Sequence, residues 1–145
     1  MILPDVNVLI YAFRQDAPEH AVSNSWLTEV VASDARFGIS RLALAALVRI
    51  TTNPRSYSEP STLAEAFTFC DYLLGQPNCQ VVEPGERHWG IFKRLCTDTD
   101  TRGPRVTDAW FAALAIEWGC EWITFDRDYA RFPGLRWRAP SRDDD

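Results

Sequence analysis

The chain has 145 residues, 46% apolar and 24% charged, which suits one folded domain and excludes two ordinary domains or a disordered or collagenous chain. Its formal net charge of −5 argues against a protein held to nucleic acid by a broad basic surface. It does not exclude a nuclease, because carboxylates gathered to bind a divalent ion make the bare chain look more acidic than the loaded one.

In chain order, Ile2 and Leu3 read as a short strand running through Asp5 into a helix that begins near Asn7. The N-terminus lacks a basic segment and is broken by Pro4, Asp5 and Asn7, so no signal peptide is expected there. Val22, Trp26, Val30 and Val31 predict a helix over Ala21 to Ser33, and Arg36 to Ser40 is the next strand candidate. A helix follows from Ser40, its cap, to Thr52, closed by Asn53 and Pro54, and another runs from Ser61 to Leu74 between Pro60 and Gly75. Cys79 to Val82 reads as a strand, Glu86 to Thr97 as a helix, and Gly103-Pro104 as a loop. Thr107 to Trp118 is a strongly apolar helix ended by Gly119. Glu121 to Thr124 is a strand meeting the acidic turn Asp126-Arg127-Asp128, and Leu135 to Trp137 is a last short strand.

Strands alternating with helices predict an α/β fold: one domain over residues 1–140, a parallel sheet of about four to five strands with helices on both faces, and a frayed tail at 141–145. The longest apolar runs, such as Leu42 to Val48, are far shorter than the roughly 20 residues of a membrane span. A cytoplasmic protein with no membrane partner is expected. Cys70, Cys79, Cys96 and Cys120 contain no CxxC pair and His20 and His88 lie far apart, which speaks against zinc and for buried, reduced thiols.

In open parallel sheets, ligands bind beyond the carboxyl ends of the strands. Asp5 leaves the first strand, Asp126 follows the strand before the last, and Asp108 stands in the first turn of the apolar helix. Taken singly, each has an ordinary role as a cap, a dipole partner or an Asx-turn residue. Asp5 and Asp108, however, are flanked by apolar residues, and several buried carboxylates together need a cation. Oxygen ligands without histidine or thiolate favour Mg2+, with Mn2+ as a substitute, and phosphodiester hydrolysis is a natural reaction for such an ion. Thr107, Thr124 and Ser40 are hydroxyls able to orient carboxylates or bound water, or else plain caps and turn residues. Arg14, Arg49, Arg102, Arg105, Arg127 and Arg131 are candidate phosphate contacts, each with a solvated surface role as the alternative.

Three motifs also resemble a known family. Asp5 to Ala12 (DVNVLIYA) resembles the opening strand and helix of PIN-domain nucleases. Val106 to Ala115 (VTDAWFAALA) is similar to that family's second ligand motif, and Thr124 to Tyr129 with Arg131 to Leu135 to the closing acidic turn of VapC toxins from type II toxin–antitoxin (VapBC) pairs. The resemblance runs from Met1 to about Pro140. It implies that Asp5, Asp108 and Asp126 are catalytic metal ligands, that Asn7 orients Asp5, and that Asp128 supports the closing turn. It implies a Mg2+-dependent endoribonuclease toxin with an RNA substrate, a VapB-like antitoxin and a homodimeric state. The family places a glutamate three residues before an arginine on the helix after the second strand; Arg49 puts that position at Ala46, and no acid occurs between Arg36 and Arg55. A weakened enzyme, or a PIN-fold binding module without catalysis, is the corresponding expectation. A phosphatase with a nucleophilic DxD motif is disfavoured, because position 7 is Asn. Trp26, Trp89 and Trp110 are either core residues or part of an association surface.

Overall fold

The computed structural model describes residues 1–141; of the tail expected at 141–145, everything after Ser141 lies outside the described residues. Five strands, β1 (Ile2–Pro4), β2 (Phe37–Ile39), β3 (Cys79–Val81), β4 (Glu121–Ile123) and β5 (Trp137–Arg138), form one parallel sheet in the order β3-β2-β1-β4-β5. Six helices connect them: α1 (Val6–Phe13), α2 (His20–Ala32), α3 (Arg41–Thr51), α4 (Leu63–Leu74), α5 (His88–Thr99) and α6 (Val106–Trp118).

The chain steps one way from β1 to β2 to β3, then crosses to the far side of β1 to lay down β4. With the right-handed crossovers that parallel strands adopt, the two directions of travel put α1–α4 on one face and α5–α6 on the other. The packing agrees: α1 touches α2 and α3, α3 touches α4, and α5 packs on α6. The reversal of direction falls at β1, so the crevice beyond its carboxyl end is where such a sheet receives a ligand.

The centre of the fold is dry and tightly filled. Leu3, Ile39, Trp122 and Ile123 from the strands meet Val8, Leu9, Leu47, Leu95 and Leu114 from the helices, all essentially inaccessible to water. Helix α6 is apolar nearly all round, because both of its sides are covered. It stops at Gly119, whose φ of +65° is a left-handed turn that a side chain would oppose. No helix among the described residues is long and apolar enough to cross a membrane.

Several boundaries differ from the sequence reading for local reasons. Helix α1 begins at Val6, because Asp5 itself caps it by accepting from the Val6 N–H at 2.6 Å. Helix α4 begins at Leu63, because Thr62 and Glu65 form a reciprocal capping box while the Ser61 N–H is drawn to the Thr51 carbonyl. Gly103–Arg105 is a 3-10 turn instead of an open loop. The last strand starts at Trp137, not Leu135, because Gly134 at φ +86° and the Leu135-to-Phe132 bond keep the preceding residues in a turn. The cysteines are free, with Cys70 and Cys120 buried but Cys79 and Cys96 only half-buried. Of the three tryptophans singled out, Trp26 is a core residue, Trp110 is half-buried, and Trp89, 69% exposed, is the one left for an association surface.

Candidate active site

Three carboxylates from distant parts of the chain meet at the end of the sheet where β1 and β4 leave it. A cavity of about 390 Å3 is lined by Asp5 and Asn7 after β1, by Thr107, Asp108 and Phe111 of α6, by Asp126 and Tyr129 after β4, and by Ala46, Arg49 and Tyr57 from α3 and the loop behind it.

Asp5 is where it is because its backbone N–H still donates to Ile123 at 2.8 Å, continuing the β1–β4 ladder, while its side chain has already become a helix cap. The cap and the site are therefore the same residue. Its Oδ2 accepts from the Thr124 hydroxyl at 2.7 Å. Thr124 in turn accepts from the Asp126 N–H at 3.0 Å and from the Asn7 amide at 3.3 Å, and the Asn7 carbonyl oxygen accepts from the Phe125 N–H at 3.4 Å. Thus Thr124, wholly buried, ties the two strand ends together and fixes the carboxylate between them.

The electrostatics of the pocket favour a cation. Burial pushes the Asp5 carboxyl up to about 6 against the opposing pull of its two hydrogen bonds, and repulsion from Asp108 and Asp126 adds to the rise. Burial also raises Asp108, and Asp126 repels it further; the Tyr129 hydroxyl, Arg131 and Arg105 act the other way. Tyr129 is buried among Trp122 and Phe132, and only its hydroxyl reaches the site, donating to Asp108 Oδ1 at 3.3 Å. Among the described residues, no three His, Cys, Asp or Glu side chains are drawn close enough to form a ready-made cage. An ion that keeps several waters and binds through one or two carboxylates needs none.

The structure brings Asp5, Asn7, Ala46, Arg49, Thr107, Asp108 and Asp126 to one cavity, with Thr124 behind it. Others fall elsewhere. Ser40 caps α3 through the Ala43 N–H. The Asp128 carboxylate pairs with Arg105 at 2.6 Å outside the cavity, although its N–H braces Asp126 at 2.9 Å. Arg127 lines a separate hollow with Phe125, Trp137 and Arg138, and exposed Arg102 pairs with Asp100. Arg14 is engaged elsewhere: it donates to both Asp16 oxygens, to the Glu59 carbonyl and to the Ser61 hydroxyl, and lies over the Tyr57 ring at 4.0 Å. Sequence reasoning gave no part to the Tyr129 hydroxyl, whose only signal was its place directly after the acidic turn.

Residues 2–135 match the PIN domain family. Ribonuclease VapC43 of Mycobacterium tuberculosis is 41% identical over 140 residues, covering 97% of this chain and 95% of that one. Ribonuclease VapC25 of the same organism is 38% identical, covering 97% and 99%. Among solved structures, VapBC2 from Rickettsia felis bound to a DNA fragment from its promoter superposes with a TM-score of 0.72 at 17% identity, over 96% of this chain and 98% of that one.

Proposed function

Since this chain belongs to the PIN domain family, in its VapC branch, we propose that it is a divalent-metal-dependent endoribonuclease, the toxin of a toxin–antitoxin pair. The observation that carries this reading is the buried Asp5 carboxyl facing Asp108 and Asp126 in one cavity at the switch point of the sheet.

The donor set fits Mg2+ or Mn2+: it is all oxygen, with neither histidine nor cysteine in the lining. Asp5, Asp108 and Asp126 would hold the ion, which supplies an activated water and relief of charge on the phosphate under attack. The remaining work belongs to the chain. Thr124 keeps Asp5 Oδ2 oriented, Asn7 locks Thr124 to the β4 end, and Tyr129 holds one Asp108 oxygen. Without a cation the carboxylates repel an RNA phosphate as well as one another. Arg49 in the lining and half-exposed Arg105 beside Asp108 give the rim positive charge for flanking phosphates.

The relatives' names place them as VapC ribonucleases, and the Rickettsia structure is a VapBC complex on DNA. By that likeness the partners proposed for this chain are RNA, a VapB-like antitoxin and a second copy of itself. The solvent-facing Trp89, edge-on to Phe92 on α5, supports self-association; a monomeric mass by light scattering at micromolar concentration counts against the dimer.

Ala46, on the pocket wall where the family carries an acid, favours a second reading, a binding module that has lost its metal chemistry. Two measurements decide between them. The nuclease cleaves a labelled RNA pool in Mg2+ and not in EDTA, and Mn2+ raises its melting temperature, as any ligand of the native state must. A protein inert to both is the binding module.

A further inference from the structure

Arg14 and Arg131 both lie near the pocket, and they are held in opposite ways. Arg14 uses four of its five N–H donors in hydrogen bonds. Arg131, on the 3-10 turn after Asp126, has its guanidinium against the Phe132 ring at 4.6 Å, yet its Nε and Nη2 are buried without a hydrogen-bond partner among the described residues. Its Nη2 stands 4.0 Å from Asp108 Oδ2, close enough for attraction but too far for a hydrogen bond. The other Asp108 oxygen is taken by Tyr129, and Arg105 approaches Oδ2 at 3.9 Å.

Leaving two guanidinium donors unpaired inside a protein is costly, and the cost is recovered when an anion with matching oxygens arrives. A phosphate is such an anion, since the planar fork of Arg fits two of its oxygens. A divalent ion on Asp108 would compete with Arg131 for the same carboxylate and repel it. We propose that Arg131 is a substrate-phosphate ligand held in reserve: it neutralises Asp108 while no divalent ion is bound and turns to a phosphate oxygen of the RNA when one is. This rests on the ribonuclease reading above.

The test uses the full chain with Arg131→Met, which keeps the apolar stem, and Arg131→Lys, which keeps the charge. Calorimetry with Mn2+ alone is expected to show Arg131→Met binding the ion about threefold or more tightly than the parent, because a competing positive charge has gone. Binding of a single-stranded RNA pool is then titrated against salt in Ca2+, with the RNA checked on a gel to stay intact. Arg131→Met is expected to bind about tenfold more weakly, with a salt slope smaller by about 0.7, the signature of one lost phosphate contact. A merely structural arginine would lower melting temperature and metal affinity together and leave the slope alone. Equal or weaker Mn2+ binding, or an unchanged slope, overturns the proposal. Should Arg131→Met not fold, Arg131→Lys decides: parent-like Mn2+ binding with several-fold weaker RNA binding supports the reserve ligand, and undiminished RNA binding overturns it. A parent that neither binds RNA in Ca2+ nor cleaves it in Mg2+ overturns the ribonuclease reading itself, a result distinct from the others.

Discussion

The two walls of the cavity are built on different principles. On one side β1, β4 and α6 contribute Asp5, Asp126 and Asp108, and their neighbours Thr124, Asn7 and Tyr129 hold two of the carboxylates by hydrogen bonds and brace the backbone of the third. On the other side α3 and its following loop contribute Ala46, Arg49, Ile50 and Tyr57, without a single acid. The first wall stores unfavourable charge that a bound cation would relieve; the second is apolar and basic, suited to meeting a substrate. On the proposed reading metal binding depends on the first wall, so changes to the two walls should have effects of different size and sign.

The largest effect is expected on the acidic wall. Asp5→Asn and Asp108→Asn each remove a proposed ligand for an ion that would contribute several kcal/mol to the transition state, so Mg2+-dependent cleavage of labelled RNA is expected to fall by about 10^3-fold. Asp108→Asn should not lose stability, because a crowded carboxylate has been neutralised, and its melting temperature in EDTA stays level or rises; Asp5→Asn sets relief of a buried charge against the loss of one acceptor for Val6 or Thr124 and should stay near level. If either binds Mn2+ as tightly as the parent by calorimetry, the site is wrongly placed.

A carboxylate moved to the opposite wall should have an intermediate effect of opposite sign. Residues 46 and 49 share a helix face, and Ala46 lines the cavity, so Ala46→Glu adds an oxygen donor across from Asp5 and Asp108. A change of about 10–100-fold in metal affinity or activity is usual for such supporting groups; here it is an increase, read as RNA cleavage with and without EDTA. The same variant should melt lower in EDTA, from added repulsion, and gain more from Mn2+. Lower stability with no gain in cleavage or metal response would mean that Ala46 is only a packed helix residue.

A smaller effect follows from pH. Burial raises Asp5 from 3.8 to about 6 in the folded chain, so between those values the folded state holds a proton that the unfolded state has lost. Stability of the metal-free protein therefore falls as pH rises through this window, by up to about 3 kcal/mol for a group this buried. Metal needs the ionised form and has the opposite dependence. Mn2+ affinity should be level above pH 7 and drop about tenfold by pH 5; a flat titration from 5 to 7 would show that Asp5 does not bind the ion.

The acidic wall was largely legible in the sequence because its residues follow apolar strands or open an apolar helix, patterns set by burial. Asp5, Asp108 and Asp126 could be placed at strand and helix ends from hydrophobic patterning, whereas Ala46 stood out only through the resemblance to PIN nucleases, which implies an acid three residues before Arg49. What was not legible depends on side-chain direction across long separations. Nothing in the spacing says that Arg14 turns toward residues 59–61 or that Arg131 turns toward Asp108, because the 3-10 turn and the loop after α3 have no periodicity that fixes a face. The fold was recovered for the same reason as the acidic wall, with errors of a residue or two where a capping box or a positive-φ glycine overrode the pattern.

The smallest effect on chemistry is expected at Arg14, although it is the most fully bonded arginine near the cavity. Its guanidinium holds residues 59–61 through the Glu59 carbonyl at 2.8 Å and the buried Ser61 hydroxyl at 3.1 Å, and backs Tyr57 on the basic wall. Arg14→Met keeps the apolar stem but leaves those acceptors without a donor, a loss of about 1–3 kcal/mol, so the melting temperature should fall clearly. The exposed Asp16 partner adds little to this, because water already solvates it. Since its donors are engaged by Asp16, Glu59 and Ser61, RNA binding should keep the parent's salt slope, and cleavage by the folded fraction should change by less than about threefold, well under one full phosphate contact. The paired measurement is thermal melting and the slope of RNA affinity against salt. If the slope falls by about 0.7 while stability holds, Arg14 is a phosphate ligand after all, and the division between a structural and a substrate-facing arginine on this site is wrong.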